Sequence, residues 1–328
     1  MQPEAQTDLF AEPEVDVPAL RRNVVVGTCS WSDPSLIKSK AFYPKATNSA
    51  EARLRYYASQ FPVVEVDSSY FAMPSPTNSA LWAERTPPGF VFTMKAFRIF
   101  TGHQTPPEAF PADIKAVLPP LTGRKKNYYY ADLPDEIRAE LWRRFLMALA
   151  PLKQAGKLRA AHLQFAPWVT NSPDWRAHVE MCVDRMKGHQ LAVEFRNQTW
   201  LEPQHVADTL AWERDLGVVH VIVDEPQGVG NFAHGVWEVT YPDLAIVRLH
   251  GRNADTWNKK GLAASSERFD YEYSDSELIQ LARQIEDLMG LVGLVIVLLN
   301  VNKEDQGIRA ARKLQQILDA GERLLSRG

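Results

Sequence analysis

Cysteine is scarce in this chain: Cys29 and Cys182 are the only two in 328 residues. They are far apart and share no C-x-x-C or Cys/His spacing, which argues against a disulfide framework and against a structural zinc site. A reducing compartment, the cytoplasm, is the expected location. Apolar runs of membrane-spanning length are also missing, so no membrane association is expected. The opening stretch "MQPEAQTDLFAEPEVDVPAL" is acidic and proline-rich where a secretory leader would be basic and then apolar. Residues 1–22 therefore read as a disordered tail, followed by one domain over 23–328. Excess charge of either sign is lacking as well. With 37 basic and 40 acidic residues the net charge is -3, which disfavours a generally basic nucleic-acid binder and leaves nucleic acid as a secondary partner class. Composition is silent on the oligomeric state.

What the chain does contain is a repeated alternation of short β-branched runs with longer amphipathic stretches. Eight such runs occur: 24–28, 63–67, 90–96, 160–165, 191–195, 218–224, 244–250 and 294–300. Between them lie helical patterns at 49–60, 134–155, 172–186, 274–289 and 304–325, several opened by Ser or Asp as a cap. Eight strands with intervening helices predict an α/β fold of the (β/α)8 TIM type, a closed parallel barrel. The connection between the third and fourth strands is enlarged. It should begin as a proline-rich lid near the barrel mouth and pass through an exposed "GRKKNYYYADLPD" loop before its helix. The connection between the sixth and seventh strands, "EPQGVGNFAHGVWEVTYPD", is too rich in Gly, Pro and aromatics for a helix and should be irregular.

In such barrels chemistry sits at the carboxyl ends of the strands. Those ends carry Glu65, Asp67 and Tyr70 at the second strand, Lys95 at the third and Gln164 at the fourth. The fifth supplies Glu194 and Arg196, with Trp200 in the following turn; the sixth supplies Asp224. Arg248 and His250 come from the seventh, Asn300 and Asn302 from the eighth. Polar groups thus converge from almost every strand, and buried charges are costly unless they pair or meet a ligand.

At these residues the chain resembles a known family. "VGTCSWSD", "VVEVDSSYFAMP", "FVFTMKAFR" followed by "TGHQ", "AVEFRNQTW", "VRLHGRN" and "LLNVNKEDQGIRAARKL" are similar in order and spacing to the YecE-like family, also called domain of unknown function 72. The resemblance covers residues 24–320 and implies a TIM-barrel-like fold, but it lends no settled activity. The chain departs from the family pattern at "TCSW", where "SGW" is usual, and at "NVN", where two asparagines are usually adjacent.

The residues themselves point to anion chemistry. Lys95, Arg196 and Arg248 with His250 suit phosphate or carboxylate oxygens, so an anionic small molecule is the expected partner. Glu65, Glu194 and His250 are the candidate proton-transfer groups; Tyr70, Lys95, Gln164, Arg196, Trp200, Arg248, Asn300 and Asn302 are the candidate binding groups. The reading is an enzyme using acid–base catalysis, its class open among hydrolase, lyase and isomerase, with no cofactor expected. The alternatives are a metal-dependent phosphoesterase or nuclease, with Asp67, Glu194, Asp224 and His250 holding a divalent ion, and a non-catalytic binder of anions or nucleic acid.

Overall fold

A computed structural model describes residues 23–226, 235–257, 259, 267 and 269–325. The expected tail at 1–22 and residues 227–234 of the sixth-to-seventh connection lie outside the described residues. Eight strands are present: β1 (Val24–Thr28), β2 (Val63–Val66), β3 (Val91–Lys95), β4 (Leu158–Gln164), β5 (Leu191–Glu194), β6 (Val219–Asp224), β7 (Ala245–Leu249) and β8 (Val295–Leu299). They form one closed barrel in sequence order, every neighbouring pair parallel. β1 and β8 close it over five registered pairs, from Val24 with Val295 to Thr28 with Leu299. The fold is thus an α/β, TIM-like barrel.

Among the described residues ten α-helices accompany the strands: α1 (Pro34–Ser39), α2 (Ala50–Gln60), α3 (Pro76–Glu84), α4 (Ala112–Val117), α5 (Asp135–Gln154), α6 (Pro173–Arg185), α7 (Val206–Asp215), α8 (Ala254–Trp257), α9 (Asp275–Met289) and α10 (Gln306–Leu325). Serine side chains cap α2, α3, α6 and α9, and at α9 Ser274 and Glu277 form a reciprocal capping box. Among the described residues none of these helices is long and apolar enough to cross a membrane. The described part of the sixth-to-seventh connection, 225–226 and 235–244, contains no helix.

The enlarged connection between β3 and β4 differs in one respect from its sequence-based description. The segment "NYYY" does not belong to an exposed loop. Tyr128 is buried, pairs its backbone with Thr105 and donates its hydroxyl to the Pro119 carbonyl at 2.6 Å. The Tyr130 hydroxyl accepts from Trp142 on α5 at 3.0 Å. Three consecutive tyrosines carry too much apolar surface to remain in water when a helix face lies beside them.

Strand parity divides the barrel into two apolar regions. Val25, Val63, Val91, Ala192, Val221 and Ile246 belong to the inner cluster, while Val24, Val26, Val64, Val193, Ile222 and Val247 belong to the outer one beneath the helices. Alternate residues of a strand face opposite ways, so this division identifies the inward position on every strand.

Candidate functional site

Two residues beyond the inner apolar tier, four strands change from hydrocarbon to polar side chains. Glu65 follows Val63, His162 follows Ala160, Glu194 follows Ala192 and Arg248 follows Ile246, all inward by the same period of two. All four are at most 1% exposed. Arg248 donates through Nη2 to Glu65 Oε1 at 2.7 Å and through Nη1 to Glu194 Oε2 at 2.6 Å. On the other side, His162 lies 2.9 Å by Nδ1 from Glu65 Oε2 and 3.1 Å by Nε2 from Glu194 Oε2, the second contact off the hydrogen-bond direction. The four side chains form a closed ring across the barrel axis. Gln164, registered beside Glu194, donates to Glu194 Oε1 at 2.6 Å.

The ring is electrostatically self-consistent. Burial acts to raise both carboxyl groups, yet Arg248 and His162 outweigh it and hold Glu65 and Glu194 well below the usual carboxylate range. Burial opposes the charge on Arg248, and the two carboxylates more than restore it. Cys29, 3.6 Å from Arg248 Nη2, has its thiol pushed up by burial and by Glu65, which disfavours a thiolate there.

Above the ring a cavity of about 550 Å³ opens at the carboxyl ends of the strands. Of the residues singled out from the sequence, Asp67, Tyr70, Lys95, Gln164, Arg196, Asn300 and Asn302 line it. Glu65, Glu194, Arg248 and His250 lie in the layer beneath, reaching the cavity through Gln164 and Asn300. Lys95 pairs with Asp67 at 2.8 Å and sits 4.7 Å from the Tyr70 ring centre, while Arg98 covers the same ring at 5.0 Å. Arg196 reaches over Trp257 at 5.8 Å. Charged groups line the cavity in two places: Lys95, paired with Asp67, and Arg196 at the ends of β3 and β5, and Asp33 and Glu304 at the lip formed by the loops after β1 and β8.

His250 accepts from Asn300 at Nδ1 (2.7 Å) and approaches Glu194 Oε1 through Nε2 at 3.5 Å. Burial lowers its pKa to about 4, with Glu194 opposing and Arg248 adding to the shift, so the imidazole is neutral at neutral pH. Two of the sequence-derived candidates belong neither to the cavity wall nor to the layer beneath it. Trp200 is fully buried in the outer layer, stacked on Phe195 at 3.9 Å and bonded to the Val169 carbonyl at 2.8 Å. Asp224 shares the parity of the outward Ile222 and is held by Arg252 at 2.7 Å and by the Tyr273 hydroxyl at 2.7 Å. Among the described residues, no group of three or more His, Cys, Asp or Glu side chains is arranged to hold a metal ion.

Among the residues of the site that were not singled out from the sequence, His162, Glu225 and His103 stand nearest its titratable groups. His162 could have been found by parity, because it precedes Gln164 by two. Glu225 is the inward neighbour of Asp224 by the same test; it is buried, and burial raises its pKa to about 7 with Arg196 opposing. His103 has no such signal, since it sits in the enlarged connection, yet it lines the cavity beside Tyr70 at 5.1 Å between ring centres.

Comparison with known proteins gives a consistent result. The family model described as "Protein of unknown function DUF72" matches residues 25–327. The UPF0759 protein YunF of Bacillus subtilis (strain 168) is 28% identical over 298 residues, covering 90% of this chain and 95% of that protein. A DUF72 family protein from Enterococcus faecalis V583 superimposes with a TM-score of 0.73 at 26% identity, over 90% of this chain and 95% of the other. One from Thermotoga maritima MSB8 gives a TM-score of 0.70 at 26% identity, over 90% and 99%.

Proposed function

The chain belongs to the DUF72 family, and from that premise we propose that it is an enzyme binding an anionic small molecule at the carboxyl face of its barrel and acting on it by acid–base chemistry. The observation that supports this reading is the convergence of Lys95, Arg98 and Arg196 on the Tyr70–His103 corner of the cavity. A phosphate or carboxylate entering there would meet Lys95 and Arg196 in a partly dehydrated setting, where charge-assisted hydrogen bonds are strong. The acidic and amide-rich lip opposite, with Asp33, Asn300 and Asn302, suits hydroxyl or amino donors on the same molecule. Phe71 and Trp168, about half exposed on the cavity wall, offer ring faces to its apolar parts.

In this reading Glu65, Glu194 and His250 act from the layer below. Glu194 orients Gln164, Glu65 and Glu194 together fix Arg248, and His250 orients Asn300. The buried ring thereby holds the cavity floor in one geometry, which is what anion recognition without reorganisation requires.

The test is a thermal-shift screen of inorganic phosphate, sugar phosphates, nucleotides, short oligonucleotides and divalent metals against the wild type and Arg196→Ala. A phosphorylated small molecule should raise the melting temperature of the wild type, by an amount equivalent to about 2.7 kcal/mol at a hundredfold excess over Kd. The shift should vanish in Arg196→Ala. A shift from a metal alone, or none from any anion, would overturn the reading.

A further inference from the structure

Among the described residues lining the cavity, His103 is the one imidazole, and its Nδ1 is engaged from below. It follows Gly102, which has φ +78° and no room for a side chain: a Cβ there would come within 2.7 Å of Trp175. The turn at Gly102 sends His103 back over the barrel mouth, where the ring is held edge-on by Tyr70 (5.1 Å) and Trp168 (5.9 Å). Its Nδ1 lies 3.0 Å from the hydroxyl of the buried Thr101. That hydroxyl donates to the Arg98 carbonyl at 3.3 Å. A hydroxyl has one hydrogen; directed to the Arg98 carbonyl, it leaves Thr101 Oγ1 to accept from His103 Nδ1, the tautomer that keeps a lone pair on Nε2.

Resting on the anion reading above, we propose that His103 is the proton acceptor of this site, its Nε2 taking up a proton when an anion lies between Lys95 and Arg196. The charged and titratable groups around it are Tyr70 after β2, Lys95 on β3 with its partner Asp67, Arg98 on its own connection, and Glu194 and Arg196 at β5. In the free protein burial, Lys95, Arg196 and Arg98 disfavour the imidazolium and outweigh Glu194, which favours it, so the pKa falls to about 3. An incoming anion adds negative charge beside the ring and offsets the repulsion from Lys95 and Arg196. The base therefore becomes strong when substrate arrives. In the catalysed step an O–H or C–H bond of the bound anion breaks, its electron pair stays on the substrate beside the cations, and the proton passes to Nε2. Return of that proton to substrate or water regenerates the neutral ring.

Sulfate, which does not titrate in this range, is a suitable probe. Calorimetric titrations at pH 5–7 in buffers of different ionisation enthalpy should show proton uptake on sulfate binding. The affinity should fall as pH rises, by up to about tenfold per unit where uptake is complete. In His103→Asn both effects should disappear while sulfate still binds. Sulfate binding without proton uptake would overturn the role of His103 and leave the anion reading standing. Uptake that survives in His103→Asn but is lost in Glu225→Gln would assign the proton to Glu225 instead. Failure of sulfate to bind the wild type would overturn both readings. Independently of any ligand, long-range ¹⁵N–¹H spectra of the free protein should show His103 with its hydrogen on Nδ1; the opposite tautomer would refute the assignment.

Discussion

One guanidinium, that of Arg248, answers two carboxylates inside a closed barrel, and the cost of losing it follows from that position. Arg248→Met would leave Glu65 and Glu194 buried with their main counter-charge gone. Removing one partner of a buried ion pair typically costs about 3–5 kcal/mol, so the variant should show a correspondingly lower urea midpoint. Adding Glu65→Gln and Glu194→Gln should recover part of the loss. Glu225 offers a second test. Burial raises its pKa in the folded protein from the ordinary 4.5 to about 7, so the folded protein holds a proton there that the unfolded chain releases between those values. Its contribution is present below about pH 4.5 and lost as pH rises through 7. The sign is opposite for His103 and His250, whose lowered values make acidification below about 6.5 destabilising. Comparing wild type with Glu225→Gln isolates the carboxyl. The stability advantage of the wild type should shrink between pH 5 and 8 by on the order of 3 kcal/mol, read from denaturant midpoints at the two pH values.

Among the elements, β1 and β2 meet over a single registered pair, Thr28 with Val64, and a side chain completes the join. The Tyr57 hydroxyl, from α2, accepts from the Thr28 backbone N–H at 2.9 Å and approaches the Val63 carbonyl at 3.1 Å. Gly27 allows this close approach, since a Cβ there would fall 2.1 Å from the Val63 carbonyl oxygen. Tyr57→Phe removes the bridge and leaves the Thr28 N–H buried without that acceptor, which should cost about 1–3 kcal/mol in thermal or chemical unfolding. Gly27→Ala should be worse still, because the added methyl meets backbone that cannot rotate away. The elements themselves were well marked in the sequence. All eight strands fall where β-branched runs occur, with ends displaced by at most two residues, and serines mark the helix starts at 49, 172 and 274. The burial of the "NYYY" segment is not legible locally, because turn-like neighbours obscure the apolar area of its rings.

Across the whole molecule, closure of the barrel couples the site to the fold: the ring draws on β2, β4, β5 and β7, and none of these four strands can leave without opening it. Far-UV and near-UV unfolding curves of the described barrel should therefore coincide, and an anion at the mouth should displace both equally. An early near-UV transition would show that the site loosens before the barrel.

The sequence by itself determined the strand count, the parallel barrel and the face on which polar residues gather, because these follow from periodicity, which is local. It also placed Glu65, Lys95, Glu194, Arg196 and Arg248 at the carboxyl ends of their strands, since strand ends are marked locally too. Tertiary structure alone decided depth. Glu194 and Arg196 are two residues apart, yet one is closed into a buried ring and the other lines the cavity, because strand register sets which side chains meet across the axis. It alone brought His103 from a long connection to the cavity and turned Trp200 into the outer layer. Those outcomes depend on contacts between segments far apart in the chain, and no local pattern encodes them.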